Sequence, residues 1–256
     1  VPLLALLSDL GRMLAQRLPD LLFDLSLAKV ALPAGVGVLD PFHGDHSSEG
    51  RRIVREFHQR YYADDHERLL MLGINPGRLG AGSTGLCFTD TKRCESELGI
   101  AVKGFRTHEP SSDFFYRMIT AAGGPDLFYS KVLVQAVCPL GFTKPGPKGA
   151  PVNLNYYDDP ALQSAVTPFI LDWLRGLITT GVRTDVIFCI GTGKNLAYLQ
   201  RLNAEHHLFV RIVALEHPRF IMQYRAKQLD DFVAKYLHAL DEAARPYFAL
   251  DRPRPA

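Results

Sequence analysis

The chain has 256 residues, of which 47% are hydrophobic, and a formal net charge of +2 at pH 7. These values are typical of a globular protein with one large core, and they exclude a strongly basic or acidic chain. A surface for nucleic acid would therefore have to be local. No apolar run approaches the roughly 20 residues of a membrane span, and the first residues lack the pattern of a signal peptide, so we expect no membrane partner.

Four cysteines are scattered along the chain without the CxxC spacing of a metal site: Cys87, Cys94, Cys138 and Cys189. This pattern predicts reduced thiols in a cytoplasmic protein, with neither a bound metal nor a cofactor.

Predicted helices and strands alternate along the chain. Leucines at helical spacing predict an amphipathic helix over residues 3–17, which Pro19 interrupts before a second short helix to about residue 28. Residues 32–50 are rich in Gly, Pro, Asp and His and predict a loop, after which Ser47-Ser48-Glu49 predicts the cap of a helix to Tyr62. The later predicted elements are strand 69–74, helix 111–122, strand 131–138, helix 159–180, strand 184–190, a short helix after 193, strand 207–215 and helix 220–240.

Strands that alternate with helices form parallel βαβ units. The pattern predicts an α/β fold: a single domain with a central, mainly parallel four-stranded sheet flanked by helices on both faces. We expect this domain to span residues 1–243, with 1–60 a helical extension packed on it and 244–256 a tail rich in Pro and Arg. Ligands of such sheets bind at the carboxyl ends of the strands, which here are followed by Asn75, Cys138-Pro139-Leu140, Gly191 and Glu216-His217-Pro218-Arg219.

The segment after the first long strand has the composition of a ligand pocket. Leu69 to Ile74 predicts a buried strand, and Pro76 disfavours the helical conformation at Asn75, which is thereby held extended at the strand tip. Phe88 is the first large aromatic residue that could close over a ligand there. The glycines between them allow a close backbone approach to that ligand: Gly77, Gly80, Gly82 and Gly85.

A histidine occupies the corresponding position after the last strand. His217 follows the apolar run from Ile212 to Leu215, and Pro218 fixes it at the strand exit. A lone histidine in such a place is more often a structural cap than a functional group. Because His217 and Asn75 follow parallel strands and so face the same edge of the sheet, the pair favours a functional role.

Three short motifs follow successive strands in order. They are Gly73 to Gly80 continued by Thr84 to Phe88, then Cys138-Pro139-Leu140 with Asn153-Leu154 downstream, then His217-Pro218-Arg219. Together they resemble the motifs of the uracil-DNA glycosylase superfamily, in its single-strand-selective monofunctional (SMUG-type) branch, and residues 217–224 are closest to a bacterial subfamily. The resemblance covers residues 69–240 and no part of 1–60.

The resemblance implies a monofunctional DNA glycosylase of base excision repair, a monomer that acts on uracil-containing DNA, single- or double-stranded, in the bacterial cytoplasm at the nucleoid. Asn75 would position the attacking water, and His217 would stabilise the charge on the leaving base. Phe88 would stack on the base, and main-chain groups around Ile74 and Gly77 would line the pocket. The enzyme would have to flip the base out of the helix.

The resemblance also implies a surface that contacts DNA. The candidate wedge that fills the gap left by the flipped base is Arg219, Phe220, Ile221 and Met222. The candidate phosphate contacts are Arg225 and Lys194, with Lys144, Lys148 and Lys227. For each of these cations a solvated surface position is an equal alternative.

One position departs from the pattern of the animal SMUG-type enzymes. These carry an asparagine two residues before Cys-Pro-Leu, where it reads the edge of uracil, and this chain has Ala136 there. The adjacent Gln135 points to the opposite face of the strand. Either Asn153 or Asn155 reaches the base instead, or the pocket is roomier and also accepts xanthine or another deaminated base.

Other functions fit parts of the sequence. Gly80 to Gly85 matches GxGxxG, the pattern of dinucleotide-binding oxidoreductases, but begins seven residues after Gly73 and opens no predicted helix. Gly191-Thr192-Gly193-Lys194 after a strand is compatible with phosphate binding or with a tight turn. A third alternative is a catalytically weak relative that only binds DNA.

Overall fold

The computed structural model describes residues 14–25, 30–44 and 46–244, without the side chain of Lys148. Most of the predicted helix over residues 3–17, the end of the short helix near residue 28 and the tail after residue 244 lie outside these ranges. The predicted start of the domain at residue 1 and most of the predicted tail therefore lie outside the described residues.

Within the described residues, seven strands form two sheets. In chain order they are β1 (Gly37–Leu39), β2 (Leu69–Gly73), β3 (Val132–Ala136), β4 (Gly141–Pro145), β5 (Pro151–Leu154), β6 (Val186–Ile190) and β7 (Arg211–Leu215). The central sheet has the order β3-β2-β6-β7, and every neighbouring pair in it is parallel. All residues of β2, β3 and β6 are buried, as in a parallel sheet covered on both faces. The predicted α/β fold with a single domain is confirmed.

A second sheet is antiparallel and has the strand order β1-β4-β5. The sequence did not predict this sheet. The interpretation of residues 32–50 as a loop is wrong in part, because β1 lies within them. This strand has only three residues, and it forms through a long-range pairing of Gly37 with Thr143. A Cβ atom at Gly37 would lie 2.6 Å from Oγ1 of Thr143, so glycine permits the pairing.

Ten helices flank the sheets in the described residues. They are α1 (Leu14–Phe23), α2 (Ser47–Tyr61), α3 (Ala81–Thr84), α4 (Thr91–Ser96), α5 (Pro110–Ala121), α6 (Pro125–Lys131), α7 (Pro160–Thr179), α8 (Lys194–His206), α9 (Pro218–Tyr224) and α10 (Leu229–Ala244). No helix in this part of the chain combines the length and apolarity that crossing a bilayer requires.

Three helix predictions are corrected. Pro19 lies inside α1 rather than interrupting it, since the packing of the buried Leu18 and Leu22 offsets the lost hydrogen bond. The cap predicted for α2 is absent, because His46 precedes the helix and makes no side-chain cap bond. The single helix predicted over 220–240 is two helices, α9 and α10, separated by a 3₁₀ turn at Ala226–Gln228.

The first helices belong to the same core as the central sheet. Leu18 of α1 and Ile53, Val54 and Phe57 of α2 are buried in one hydrophobic cluster with the residues of β2. Burial of such side chains contributes about 1.5–3 kcal/mol each. The described part of residues 1–60 is therefore an integral part of the folded domain.

Pairing continues beyond the carboxyl ends of β2 and β3. Main-chain N–H groups of Val137 and Cys138 donate to the carbonyls of Gly73 and Ile74, each at 3.0 Å. These bonds fix the backbone that leads into Asn75, at the sheet edge where ligands of parallel sheets bind.

Candidate active site

A cavity of about 240 Å³ opens at the carboxyl ends of the central strands. Asn75 and His217, which are far apart in the sequence, both line it. The structure also brings Ile74, Phe88 and Ala136 into its wall. The full lining is Gly73, Ile74, Asn75, Pro76, Gly77, Ala81, Cys87, Phe88, Glu109, Ala136, Asn153, Asn155, His217 and Arg219.

The carboxamide of Asn75 is clamped by the end of strand β5. Its Oδ1 accepts a hydrogen bond from the main-chain N–H of Tyr156 at 3.1 Å, and its Nδ2 donates to the carbonyl of Leu154 at 3.4 Å and to that of Pro76 at 3.3 Å. These partners fix which end of the amide carries the oxygen. Because a carboxamide oxygen has two lone pairs, Oδ1 retains one for a further donor.

Tyr156 is itself held in place by hydrogen bonds that lead to the ends of the central strands. Its hydroxyl donates to Oδ1 of the buried Asn195 at 2.7 Å, and Nδ2 of Asn195 donates to the carbonyl of Ile190 at 3.3 Å. The same nitrogen lies 3.5 Å from the carbonyl of Gly73. A chain of side chains therefore joins the ends of β2 and β6 to the peptide that holds Asn75.

The imidazole of His217 is neutral and presents one N–H group. Its Nδ1 accepts the main-chain N–H of Arg219 at 3.1 Å, so the proton of the neutral ring is on Nε2. Burial, with a smaller contribution from the charge of Arg219, lowers the pKa of His217 from 6.5 to about 4. Among the described residues no acceptor bonds Nε2, which leaves this donor for a ligand in the cavity.

Phe88 forms a fixed wall rather than a mobile cover. Its ring stacks on Phe115 with centroids 4.6 Å apart and lies 5.5 Å from the His217 ring. Gly73 makes this position possible, since a Cβ atom there would lie 3.0 Å from Cζ of Phe88. Phe88 also has a φ of 54°, a conformation costly for an aromatic residue and concentrated at functional sites.

The structure separates Ala136 from Gln135. Ala136 lines the cavity, and the indole N–H of Trp173 fixes its backbone by donating to its carbonyl at 2.9 Å. Gln135 instead lines a second, small cavity beside Tyr62 and Tyr129. The expectation that Gln135 cannot replace the missing asparagine therefore agrees with its position.

Asn153 reaches the cavity from strand β5. Its Oδ1 accepts the main-chain N–H of Arg78 at 3.2 Å, which holds the glycine-rich segment against β5. Its Nδ2 faces Gly77, where a Cβ atom would lie 3.3 Å away. Because a carboxamide oxygen has two lone pairs, Asn153 can offer a ligand both an acceptor and its amide N–H groups.

Sequence reasoning missed Glu109. This residue precedes α5, and its carboxylate packs against Gly80, where a Cβ atom would lie 1.9 Å from Oε2. Burial first, and then the nearby Asp90, raise the pKa of Glu109 from 4.5 to about 7, against a lowering by Arg219. The one signal in the sequence is indirect: a glycine-rich segment leaves space that another side chain must fill.

The remaining titratable groups offer no metal site. Burial raises the pKa of the Cys87 thiol to about 12, so it stays protonated at neutral pH. In the described parts of the chain, no group of three or more His, Cys, Asp or Glu side chains is arranged to hold a metal ion.

The arrangement of cavity, amide and imidazole agrees with a comparison against protein families. The model of the uracil DNA glycosylase superfamily matches residues 60–241. The chain belongs to this superfamily. It is a DNA glycosylase, an enzyme that hydrolyses N-glycosidic bonds in DNA, and the resemblance drawn from its three motifs is confirmed. A search of curated proteins found no match.

A solved structure places the glycosylase within a branch of the superfamily. The crystal structure of wild-type SMUG2 from Pedobacter heparinus is 44% identical to this chain, with a TM-score of 0.87, and the match covers 90% of this chain and 98% of that one. Because residues 61–256 make up only about three quarters of the chain, this coverage includes part of residues 1–60. The family model itself begins at residue 60, as the motifs predict, so the likeness in residues 1–60 is one to the SMUG2 structure.

Helix α9 of the glycosylase carries the residues predicted to enter DNA. Arg219 lines the mouth of the cavity, and Phe220 is exposed, with Met222 half-buried behind it. The guanidinium of Arg225 lies 5.4 Å from the centroid of the Phe220 ring. The prediction that Ile221 contacts DNA is wrong, because its side chain is fully buried in the core.

The two nucleotide-binding alternatives are not supported. Gly80 to Gly85 forms the single turn of α3, which packs against Glu109 instead of leading from a strand into a long helix. Lys194 begins α8 on the surface, outside the cavity, with its Nζ 3.8 Å from Oδ1 of Asp158. Lys194 therefore remains a candidate for a phosphate contact and nothing more specific.

Proposed function

We propose that this glycosylase excises uracil from DNA, and that it also accepts xanthine or other deaminated bases. The proposal includes a monomer acting on single- or double-stranded DNA in the bacterial cytoplasm, at the nucleoid. What supports the substrate class is the family, the flat aromatic wall at Phe88 and a cavity at the carboxyl edge of the sheet. The wider range of bases is supported by Ala136, because its methyl group makes no hydrogen bond that would select one base over another.

In the proposed mechanism, the flipped base enters the cavity and its sugar lies beside Asn75. The remaining lone pair of Asn75 Oδ1 accepts a hydrogen bond from water and aims that water at the anomeric carbon. Since the sugar approaches an oxocarbenium ion, the nucleophile needs orientation more than activation. The clamp formed by Leu154 and Tyr156 supplies that orientation before the substrate binds.

His217 stabilises the other product of bond breaking. As the glycosidic bond lengthens, its electron pair moves onto the base, and Nε2–H donates to the carbonyl oxygen where charge collects. A neutral donor suits this role because a pKa near 4 leaves the imidazole uncharged throughout the neutral range.

The observation that carries the proposal is that Asn75 and His217 line one cavity, each with a functional atom left for a ligand. The test uses a labelled oligonucleotide with one uracil, incubated with the protein and then treated with alkali. Strand scission identifies a glycosylase active on uracil, and a xanthine-containing oligonucleotide tests the wider range.

Variants test the roles of the two residues. We expect Asn75→Ala and His217→Ala each to lower the single-turnover rate by at least about a hundredfold, since each removes a group that acts in the transition state. Binding to the oligonucleotide, measured by fluorescence anisotropy, should change little. His66→Ala, which removes an exposed histidine before β2, is the matched control. Wild-type rates in both cavity variants would refute the mechanism.

A further inference from the structure

The proposed mechanism leaves one proton without an acceptor. Water that attacks the sugar becomes a hydroxyl group of the product and loses a proton as it does so. The amide of Asn75 orients water through its oxygen but is too weak a base to keep that proton. A side chain in the cavity that is a stronger base than an amide is suited to take it, directly or through one water.

Four titratable side chains line the cavity in the described part of the chain: Cys87, Glu109, His217 and Arg219. Arg219 is a permanent cation, and Cys87 is a buried thiol. His217 has its Nδ1 occupied by the N–H of Arg219 and offers only a donor. Glu109 is thus the one carboxylate in the wall, and the one side chain able to accept a proton there.

The carboxylate of Glu109 packs against two glycines, Gly80 and Gly77, which have no side chains. A Cβ atom on Gly80 would lie 1.9 Å from Oε2, and one on Gly77 would lie 3.4 Å from Oε1. The main-chain N–H of Glu109 donates to Oδ2 of Asp90 at 2.7 Å, which fixes the backbone. In the described residues no hydrogen bond occupies the carboxylate, so its oxygens are left for water in the cavity.

We propose that Glu109 accepts the proton of the water that Asn75 orients, which rests on the proposed glycosylase function. The carboxylate packs against Gly77, two residues after Asn75 in the chain, and both side chains line the cavity. The water oxygen bonds to the anomeric carbon, and the glycosidic electron pair leaves with the base. The released proton moves to Glu109, which becomes a carboxylic acid and later returns the proton to the base or to solvent.

The charges around Glu109 suit this task. Burial and Asp90 disfavour its ionised form, Arg219 on α9 favours it, and the balance raises its pKa to about 7. Of the other groups nearby, His108 lies 3.1 Å from Oδ2 of Asp90, and Cys87 is uncharged. A base with a pKa near the working pH is the most effective proton acceptor.

The test is the pH dependence of uracil excision under single-turnover conditions with Glu109→Gln. For the wild type we expect the rate to rise with pH to a plateau above about pH 7, where Glu109 is ionised. The variant should be about 10- to 100-fold slower at pH 8, and its rate should not change with pH. Glu109→Ala should regain activity when formate is added, since formate can occupy the space of the lost carboxylate.

Several outcomes would overturn the proposal. They are a wild-type rate in Glu109→Gln, a slower variant that keeps the wild-type pH dependence, and a changed preference between uracil and xanthine without loss of the pH dependence, which would indicate contact with the base. Glu205→Gln, at an exposed glutamate of α8, is the control, and thermal melting verifies folding. If the wild type itself fails to release uracil, the proposed function fails instead.

Discussion

Residues around the cavity have been given different protonation states by their surroundings. Burial keeps His217 neutral far below pH 7, whereas burial and Asp90 bring Glu109 to the midpoint of its titration near pH 7. Asn75 has no charge at all, and its orientation comes from three main-chain partners. A donor, an acceptor and an orienting group can therefore act together at one pH.

The role of Ala136 in the choice between bases can be tested by substitution. We expect Ala136→Asn to raise the preference for uracil over xanthine about tenfold or more, because a carboxamide in the wall would pair with one base edge and leave the other unpaired. The measurement is the ratio of kcat/KM values on oligonucleotides with either base.

A matched control is available at the neighbouring position. Gln135→Asn introduces the same side chain facing the other cavity, and it should leave the ratio unchanged. If Ala136→Asn also leaves it unchanged, Ala136 has no part in reading the base.

The sequence predicts some of these residues and not others, for physical reasons. Asn75 and His217 each stand two residues after an apolar strand of the central sheet, so their shared edge can be predicted from the pattern. Glu109 lies on an irregular segment between α4 and α5, where no periodicity indicates its direction. Ile221 lies in a helix of seven residues, too short for its buried face to be identified from spacing.

Helix α9 is the element that meets DNA in the proposed function. We expect Phe220→Ala to lower kcat/KM about tenfold on double-stranded DNA and less on single strands, because only a duplex leaves a gap that an inserted side chain must fill. Parallel assays on the two substrates measure this difference. Val210→Ala removes an apolar side chain that is 84% exposed just before β7, and it should affect neither substrate.

Strands of the central sheet could be predicted because they read as continuous apolar runs, and three of them, β2, β3 and β6, are buried on both faces. Each lies inside its predicted range, as for β2 within 69–74 and β6 within 184–190. Strands β1, β4 and β5 could not, since they are short, partly exposed and interrupted by Gly and Pro. The pairing of β1 with β4 also joins residues about a hundred positions apart.

At the scale of the whole molecule, a buried histidine contributes to the response of stability to acid. His58 on α2 is 1% exposed, and its Nδ1–H donates to the carbonyl of Val54 at 2.7 Å while the buried Nε2 has no partner. Burial lowers its pKa from 6.5 to about 4. Below pH 6.5 the unfolded chain therefore binds a proton at His58, whereas the folded chain binds this proton only below about pH 4. The free energy of unfolding falls as the pH decreases through that window.

His58→Leu should remove this contribution. Between pH 7 and pH 4.5 we expect the free energy of unfolding to fall by about 2 kcal/mol less in the variant than in the wild type. Urea denaturation at both pH values measures it. His238→Leu, at an exposed histidine of α10, is the control, and an equal fall in all three proteins would show that His58 does not contribute.

The attachment of Asn75 to strand β5 affects how activity responds to heat. The hairpin of β4 and β5 is short and half exposed, so it opens at a lower free energy than the buried central strands. When it opens, the amide of Asn75 loses its acceptor at Leu154, whereas the buried Tyr156 is still held by Asn195. Turnover should therefore decline at temperatures below the melting point, and the stability of this hairpin would set the enzyme's thermal limit.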